Sequence, residues 1–175
     1  MGLIIVLDIN GVLADVHKKS VAAPKGIKHD LVIPSGQKVY MRPHMIEFCN
    51  YLANLVSQNP YSIKVAIWTG RKKVNAEPIE RYIAETFGLE MHHYFHGDDC
   101  HFFEGCHPIK DIAILRKTMV APDDHVVFVD DSADRIKLDR NSEAIKAIPF
   151  DVGKTDNAEL IRIVCILNRI VEKFK

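Results

Sequence analysis

The chain has little that would tie it to a charged polymer or to a membrane. Its 23 lysines and arginines balance 23 aspartates and glutamates over 175 residues, so no broad field draws it to nucleic acid or to anionic lipid. Cysteine is scarce: Cys49, Cys100, Cys106 and Cys165 lie far apart and form no disulfide framework. With no signal segment ahead of the first apolar run, they read as reduced thiols in an intracellular protein, nuclear or cytoplasmic. Long apolar runs are missing too, since Leu160 to Val171 is broken by Arg162, Asn168 and Arg169 and does not span a bilayer. There is no internal repeat and no low-complexity tract. What remains is the length of one ordinary domain, 1–175, able to bury a core without staples.

What is present is a set of short apolar runs that end in polar residues. Leu3-Ile4-Ile5-Val6-Leu7 is apolar without alternation, the pattern of a central parallel strand covered on both faces. Asp8-Ile9-Asn10-Gly11 follows at its carboxyl end, where open α/β sheets bind ligands. Asp8 and Asn10 could equally cap the turn there. Residues 14–29 read as a loop, and 30–33 with 37–41 as a hairpin around Pro34-Ser35-Gly36. Arg42-Pro43-His44 opens a helix with Pro43 in its first turn; Met45, Phe48, Cys49, Leu52, Leu55 and Val56 keep helical spacing to about Gln58.

A second strand, Ile63 to Trp68, ends in Thr69-Gly70-Arg71, with Trp68 expected in the core. The spacing predicts a helix over 77–87 capped by Gly88 and a short helix over 111–117. Val126 to Val129 is a third buried strand closing on Asp130-Asp131-Ser132. A short strand over 144–148 and an amphipathic helix over 155–174 complete the chain. Strands alternating with helices imply an α/β fold, a doubly wound parallel sheet. Such a sheet brings Asp8, Asn10, Thr69, Lys110 and Asp130-Asp131 to one edge. Carboxylates beside a lysine suit a hard cation and a phosphoryl group held together, the equipment of phosphoryl transfer.

The series Asp8-Ile9-Asn10-Gly11-Val12, Ile67-Trp68-Thr69, Ile109-Lys110-Asp111 and Val129-Asp130-Asp131-Ser132 resembles the haloacid dehalogenase superfamily of aspartate-based phosphatases. Val39-Tyr40-Met41-Arg42-Pro43-His44-Met45-Ile46-Glu47-Phe48 makes it most similar to the small C-terminal-domain phosphatase branch, also called NLI-interacting-factor-like. The likeness runs from about Leu3 to Phe174. It implies a Rossmann-like sheet with a small β-hairpin insert and no large cap. It also implies Asp8 as the nucleophile, taking the phosphoryl group as an aspartyl-phosphate. Thr69, Gly70 and Lys110 would bind the substrate phosphate. Mg2+ would be held by Asp8, the carbonyl of Asn10 and Asp131, with Asp130 supporting. The substrate would be a phosphoserine or phosphothreonine in a protein segment, such as the tail of RNA polymerase II.

The chain departs from that pattern twice. The family has an aspartate where Asn10 stands, the general acid and base, and an amide does neither job; such help is typically worth about 10²–10⁴-fold. An amide suits a slow enzyme or a phosphopeptide reader that carries it natively. It equally suits a substitution made to trap a substrate. The branch's phosphate-binding arginine aligns with His96 or Gly97, leaving His96 or Arg71 to supply that contact. The His- and Cys-rich stretch (His92, His93, His96, Cys100, His101, Cys106, His107) fits no standard zinc spacing and reads as a polar loop with a few packed side chains. Lys18, Lys19, Lys25, Lys28 and His29 form a basic cluster that reads first as a solvated loop and second as an attractor of acidic phosphopeptides. Asp15 and His17 could assist proton transfer, although loop polarity accounts for both. Two functions follow, a Mg2+-dependent protein phosphatase or a phosphatase-like binding module, with a nucleotide- or sugar-phosphate phosphatase third.

Overall fold

The computed structural model describes residues 2–18, 20, 25–102, 107–119, 121, 123–156 and 158–174. In chain order the elements are β1 (Leu3–Leu7), β2 (Ala14–Val16), β3 (Leu31–Val32), β4 (Lys38–Met41), α1 (Met45–Gln58), β5 (Ile63–Trp68), α2 (Lys73–Phe87) and β6 (His93–Phe95), then a 3-10 turn Gly97–Asp99. They continue as β7 (Lys110–Asp111), α3 (Ile112–Thr118), β8 (His125–Asp130), a 3-10 turn Ala133–Arg135, β9 (Ile136–Lys137), β10 (Ser142–Lys146) and α4 (Glu159–Val171).

The main sheet has five strands in the order β10-β8-β1-β5-β6, every pairing parallel. β1 lies at its centre. Leu7 is in register with Ile67 on one side and Val129 on the other, so Asp8, Trp68 and Asp130 come level at the carboxyl edge. Side chains alternate across the sheet. Leu3, Ile5 and Leu7 join one apolar cluster with α1, α2 and α4. Ile4 and Val6 join a second with Trp68, Phe95, Phe128 and residues of α3. Both faces are covered, which is why β1 carries no polar alternation. Trp68 is fully buried and stacks on Phe95 with ring centroids 4.8 Å apart.

The hairpin of β3 and β4 is joined by β2, making a three-stranded antiparallel insert in the order β2-β4-β3. The loop expected over 14–29 therefore begins with a strand, whose partner lies more than twenty residues away in sequence. Among the described residues the sheet carries this insert and no larger cap. Lys19 and Pro24 lie outside the described residues; Lys18, Lys25 and Lys28 are exposed.

Several boundaries move from expectation for local reasons. Pro43 precedes α1 rather than opening it, because His44 takes a left-handed backbone (φ 67°) as the N-cap. α2 starts at Lys73, not 77, with Pro78 inside; proline lacks the N–H that would bond the carbonyl of Val74, a residue exposed in the first turn. β10 ends at Lys146 because Ile148 N–H turns away to Glu159 Oε1, 2.8 Å. α4 starts at Glu159, where Asp156 Oδ1 accepts the Glu159 N–H at 3.0 Å.

Candidate active site

β1 stops at Leu7, and the chain then makes a tight turn in which Leu13 N and Ala14 N both donate to Ile9 O at 2.9 Å. Gly11 sits in that turn at φ 81°, and a Cβ there would lie 2.1 Å from Asp131 Oδ2. Only glycine lets the turn after β1 approach the carboxylate after β8 so closely. Arg42, itself buried, holds the same turn from behind. Its Nη1 donates to Gly11 O (3.0 Å) and Val12 O (3.1 Å), and its Nε to Asp156 Oδ2 (2.6 Å).

Lys110, at the start of β7, reaches into the sheet edge. Its Nζ donates to Asp8 Oδ1 at 2.9 Å and to Asp130 Oδ2 at 2.6 Å, all three side chains buried. Burial pushes the Asp8 carboxyl up, and Asp130 and Asp131 add to it; Lys110 opposes them, leaving Asp8 at about 6. Burial alone would lower Lys110, but Asp8 and Asp130 more than reverse that, so it stays a firm cation. Asp130 has its other oxygen occupied by Ser132 N–H at 2.7 Å. Asp131 is raised by burial and by Asp130, and accepts from Ser132 Oγ at 3.0 Å.

These groups open into a cavity of about 370 Å³, lined by Asp8, Asn10, Thr69, Gly70, Arg71, His107, Pro108, Lys110, Asp130, Asp131, Ser132 and Arg135. Asp8, Asn10, Thr69, Gly70, Lys110, Asp130 and Asp131, expected together at one sheet edge, all line it. Thr69 is buried, with its N–H bonded to Phe95 O (3.0 Å) and its Oγ1 accepting from Arg71 N–H (3.4 Å). Asn10 is exposed, and its Oδ1 accepts from Val16 N–H (3.1 Å) and from Arg71 Nη2 (3.5 Å). Arg71 Nη1 donates to Gln37 Oε1 of the insert (3.3 Å), while its Nε is buried with no hydrogen-bond partner. Burial lowers the Arg71 pKa, and Asp8 and Asp15 pull it back.

Of the two positions considered for a phosphate-binding cation, His96 is off the cavity. It is buried with Nε2 3.0 Å from Glu80 Oε1. Gly97 backs the wall instead: a Cβ there would fall 2.8 Å from Gly70 O. Arg71 is the side chain that does face the cavity. His92 Nδ1 accepts from Val65 N–H at 3.1 Å, Cys100 is buried, and Cys106 lies outside the described residues. Asp15 is engaged by Val152 N–H at 3.1 Å, and neither it nor His17 lines the cavity. Beyond the residues expected at the sheet edge, the wall takes in His107, Pro108 and Arg135, with Ser132 beside the aspartate pair. Ser132 is marked in the sequence by its place after the aspartate pair; His107, Pro108 and Arg135 come from short connections without periodicity.

The donor set suits a hard cation. One oxygen each from Asp8, Asp130 and Asp131 falls within 4.8 Å of the others, and oxygen donors with a neighbouring cavity are what Mg2+ uses while keeping positions for phosphate. Because both Asp130 oxygens already have donors, Asp8 and Asp131 are the freer pair.

Comparison with known proteins bears on this geometry. The family model described as NLI interacting factor-like phosphatase matches residues 3–175. No curated protein matches the sequence. Among solved structures, that of Fcp1, an essential RNA polymerase II CTD phosphatase, superposes with a TM-score of 0.56 at 20% identity, over 94% of this chain and 49% of that one. A fission yeast Fcp1 variant bound to beryllium fluoride gives 0.56 at 19% identity, over 99% of this chain and 52% of that one. The chain therefore spans about half the length of the Fcp1 structures it matches, and at these identities the likeness speaks for the fold.

Proposed function

The chain belongs to the NLI interacting factor-like phosphatases of the haloacid dehalogenase superfamily, and on that footing we propose that it is a Mg2+-dependent phosphoserine or phosphothreonine protein phosphatase working through an aspartyl-phosphate on Asp8. It acts as one domain, in the nucleus or cytoplasm, on a phosphorylated protein segment; the RNA polymerase II tail, the substrate named for Fcp1, is the first to try. The observation that carries the reading is the buried Asp8, gripped by Lys110 on a cavity shared with Thr69 and Asp131.

Lys110 fixes the Asp8 carboxylate and keeps its neighbour Asp130 from repelling it. Thr69 and the Gly70 main chain receive the phosphoryl oxygens, with Lys110 adding charge. An Asp8 oxygen forms a bond to phosphorus as the ester P–O bond breaks, its electron pair leaving on the serine oxygen. That oxygen takes its proton from solvent, since the Asn10 amide has none to give at useful acidity. Water then attacks phosphorus, the bond to Asp8 breaks, and phosphate leaves with the carboxylate restored. Mg2+ held by Asp8, Asp131 and the Asn10 carbonyl would neutralise charge on the phosphoryl oxygens.

Asn10 favours a second reading, a module that binds phosphorylated segments and turns them over slowly or not at all. Both are tested by turnover of an aryl phosphate and a phosphoserine peptide with Mg2+, for this chain beside Asp8→Ala and Asn10→Asp. The phosphatase reading expects Asp8→Ala to abolish both activities and Asn10→Asp to raise peptide turnover by about 10²–10⁴-fold, with a smaller gain on the aryl ester, whose leaving group needs little protonation. Peptide binding without turnover in every variant establishes the module instead.

A further inference from the structure

In the phosphatase reading Gly70 meets the phosphoryl oxygens with its main chain, and one neighbouring segment pins it on both sides. Thr69 N–H donates to Phe95 O at 3.0 Å, and Gly97 N–H donates to Arg71 O at 2.6 Å. Between those two bonds the chains touch: a Cβ on Gly97 would lie 2.8 Å from Gly70 O and 3.2 Å from Arg71 C. The position of 95–97 therefore sets the position of 69–71. Phe95 is held by the ladder, paired with Trp68 as the last of the β5–β6 partners. His96 and Gly97 lie beyond it. Among the described residues, one side-chain hydrogen bond ties residues 96–99 to another element, that between His96 Nε2 and Glu80 Oε1 of α2 at 3.0 Å.

Both side chains are buried, and their bond closes a frame. α2 begins at Lys73, two residues after Arg71, so the segment 69–71 runs straight into the helix that carries Glu80. Glu80 ties that helix back to His96, and Gly97 ties the same segment back to Arg71. The Glu80 carboxyl needs this partner: burial pushes it up and His96 opposes that, with Glu77 and Lys73 acting in opposite senses. An apolar pair would hold α2 against the segment at least as firmly, since buried polar pairs add little net stability. What a hydrogen bond adds is direction, and with it the register of α2 on residues 95–97. We propose that Glu80 and His96 are positioning residues that hold the Gly70 main chain in register for the phosphoryl group without touching it. Neither lines the Asp8 cavity. The inference rests on the reading that phosphoryl groups occupy that cavity, and it names the remote pair that sets the geometry of its wall.

The test is calorimetric titration of inorganic phosphate into the Mg2+-loaded protein, beside titration of Mg2+ alone and thermal melting. In the double variant Glu80→Leu with His96→Leu, melting should stay near the parent's, because two leucines replace the pair at similar volume. Phosphate affinity should fall about 10- to 100-fold, the worth of one misdirected hydrogen bond to a charged group. KM for an aryl phosphate should rise with it while kcat holds, the mark of lost uniform binding. Mg2+ alone should bind as before, since Asp8 and Asp131 lie at the ends of β1 and β8, outside this frame. His96→Gln keeps an Nε2 donor for Glu80 and should hold phosphate near the parental affinity. A packing role alone would lower the fraction of competent sites and leave the affinity of the remainder untouched. Parental affinity in the double variant overturns the proposal, as does an equal loss in His96→Gln or a loss that tracks melting temperature. Aryl phosphate turnover that still depends on Asp8 leaves the phosphatase reading standing when the positioning fails; no phosphate binding in the parent, with no turnover, overturns both.

Discussion

Replacing Lys110 with methionine keeps most of the side chain's length and deletes its ammonium. In the folded protein that ammonium lies 2.9 Å from Asp8 and 2.6 Å from Asp130, all three side chains being buried. Removing one partner of a buried ion pair costs about 3–5 kcal/mol, because the charge left behind is stranded. Here two carboxylates are stranded, with Asp131 in the same cluster. For a domain of this size each kcal/mol shifts melting by roughly 2–4 °C, so Lys110→Met should melt about 6–20 °C below the parent at pH 7 in chelator.

The sign of the pH dependence provides a second check. Asp8 has a folded pKa near 6, raised from 3.8 chiefly by burial. Its bound proton favours the folded state, an advantage complete below 3.8 and lost as pH rises through about 6. Without Lys110, which pulls that value down, the loss extends to higher pH. The deficit of the variant should therefore be wide at pH 7 and narrow toward pH 5. Added Mg2+ should narrow it as well, since a more negative site binds the cation more tightly and ligand binding stabilises the fold. Equal melting at pH 7, or a deficit that does not change with pH, would refute the electrostatic account of Lys110.

Gly11→Ala forces a left-handed backbone on alanine, at about 1–2 kcal/mol, and sets a methyl 2.1 Å from Asp131 Oδ2; calorimetry should find Mg2+ binding lost, and parental Mg2+ affinity would show that the close approach does not matter. Arg42→Met strands Asp156 and three carbonyls, so the urea midpoint should fall by the equivalent of about 3–5 kcal/mol, with Arg42→Met and Asp156→Asn together costing less than their sum. Glu159 is buried; desolvation raises its pKa, but Arg162 and the Ile148 N–H outweigh that and hold it below 4.5. Its stabilisation is present above 4.5 and lost as pH falls below that value. Urea midpoints of Glu159→Gln should trail the parent at pH 7 and converge with it in acid, and a gap independent of pH would count against the ion pair.

How legible these features are in sequence depends on whether neighbours in the chain determine them. β1 is readable because a strand covered on both faces has no polar positions, and the residue after it falls on the ligand edge whatever its partners are. Asp8, Thr69 and Asp130 are placed by that rule alone. β2 is not readable: three residues cannot show a period, and they are ordered by pairing with β4 across an intervening loop. β6 is equally short and, among the described residues, pairs with β5 alone. The same limit separates Asp8 from Arg71. An arginine after Thr69-Gly70 is visible at once, but not its surroundings, a missing acceptor at Nε and two weak acceptors from β1's turn and from the insert. Neither amide is near it in sequence. Asn10 read alone is a lost acid and base; in the fold its amide oxygen also accepts from Arg71 Nη2. A substitution at residue 10 therefore acts on the group facing the leaving oxygen and on the Arg71 contact at once. Rate and affinity must be measured on the same variants before either is assigned to that residue.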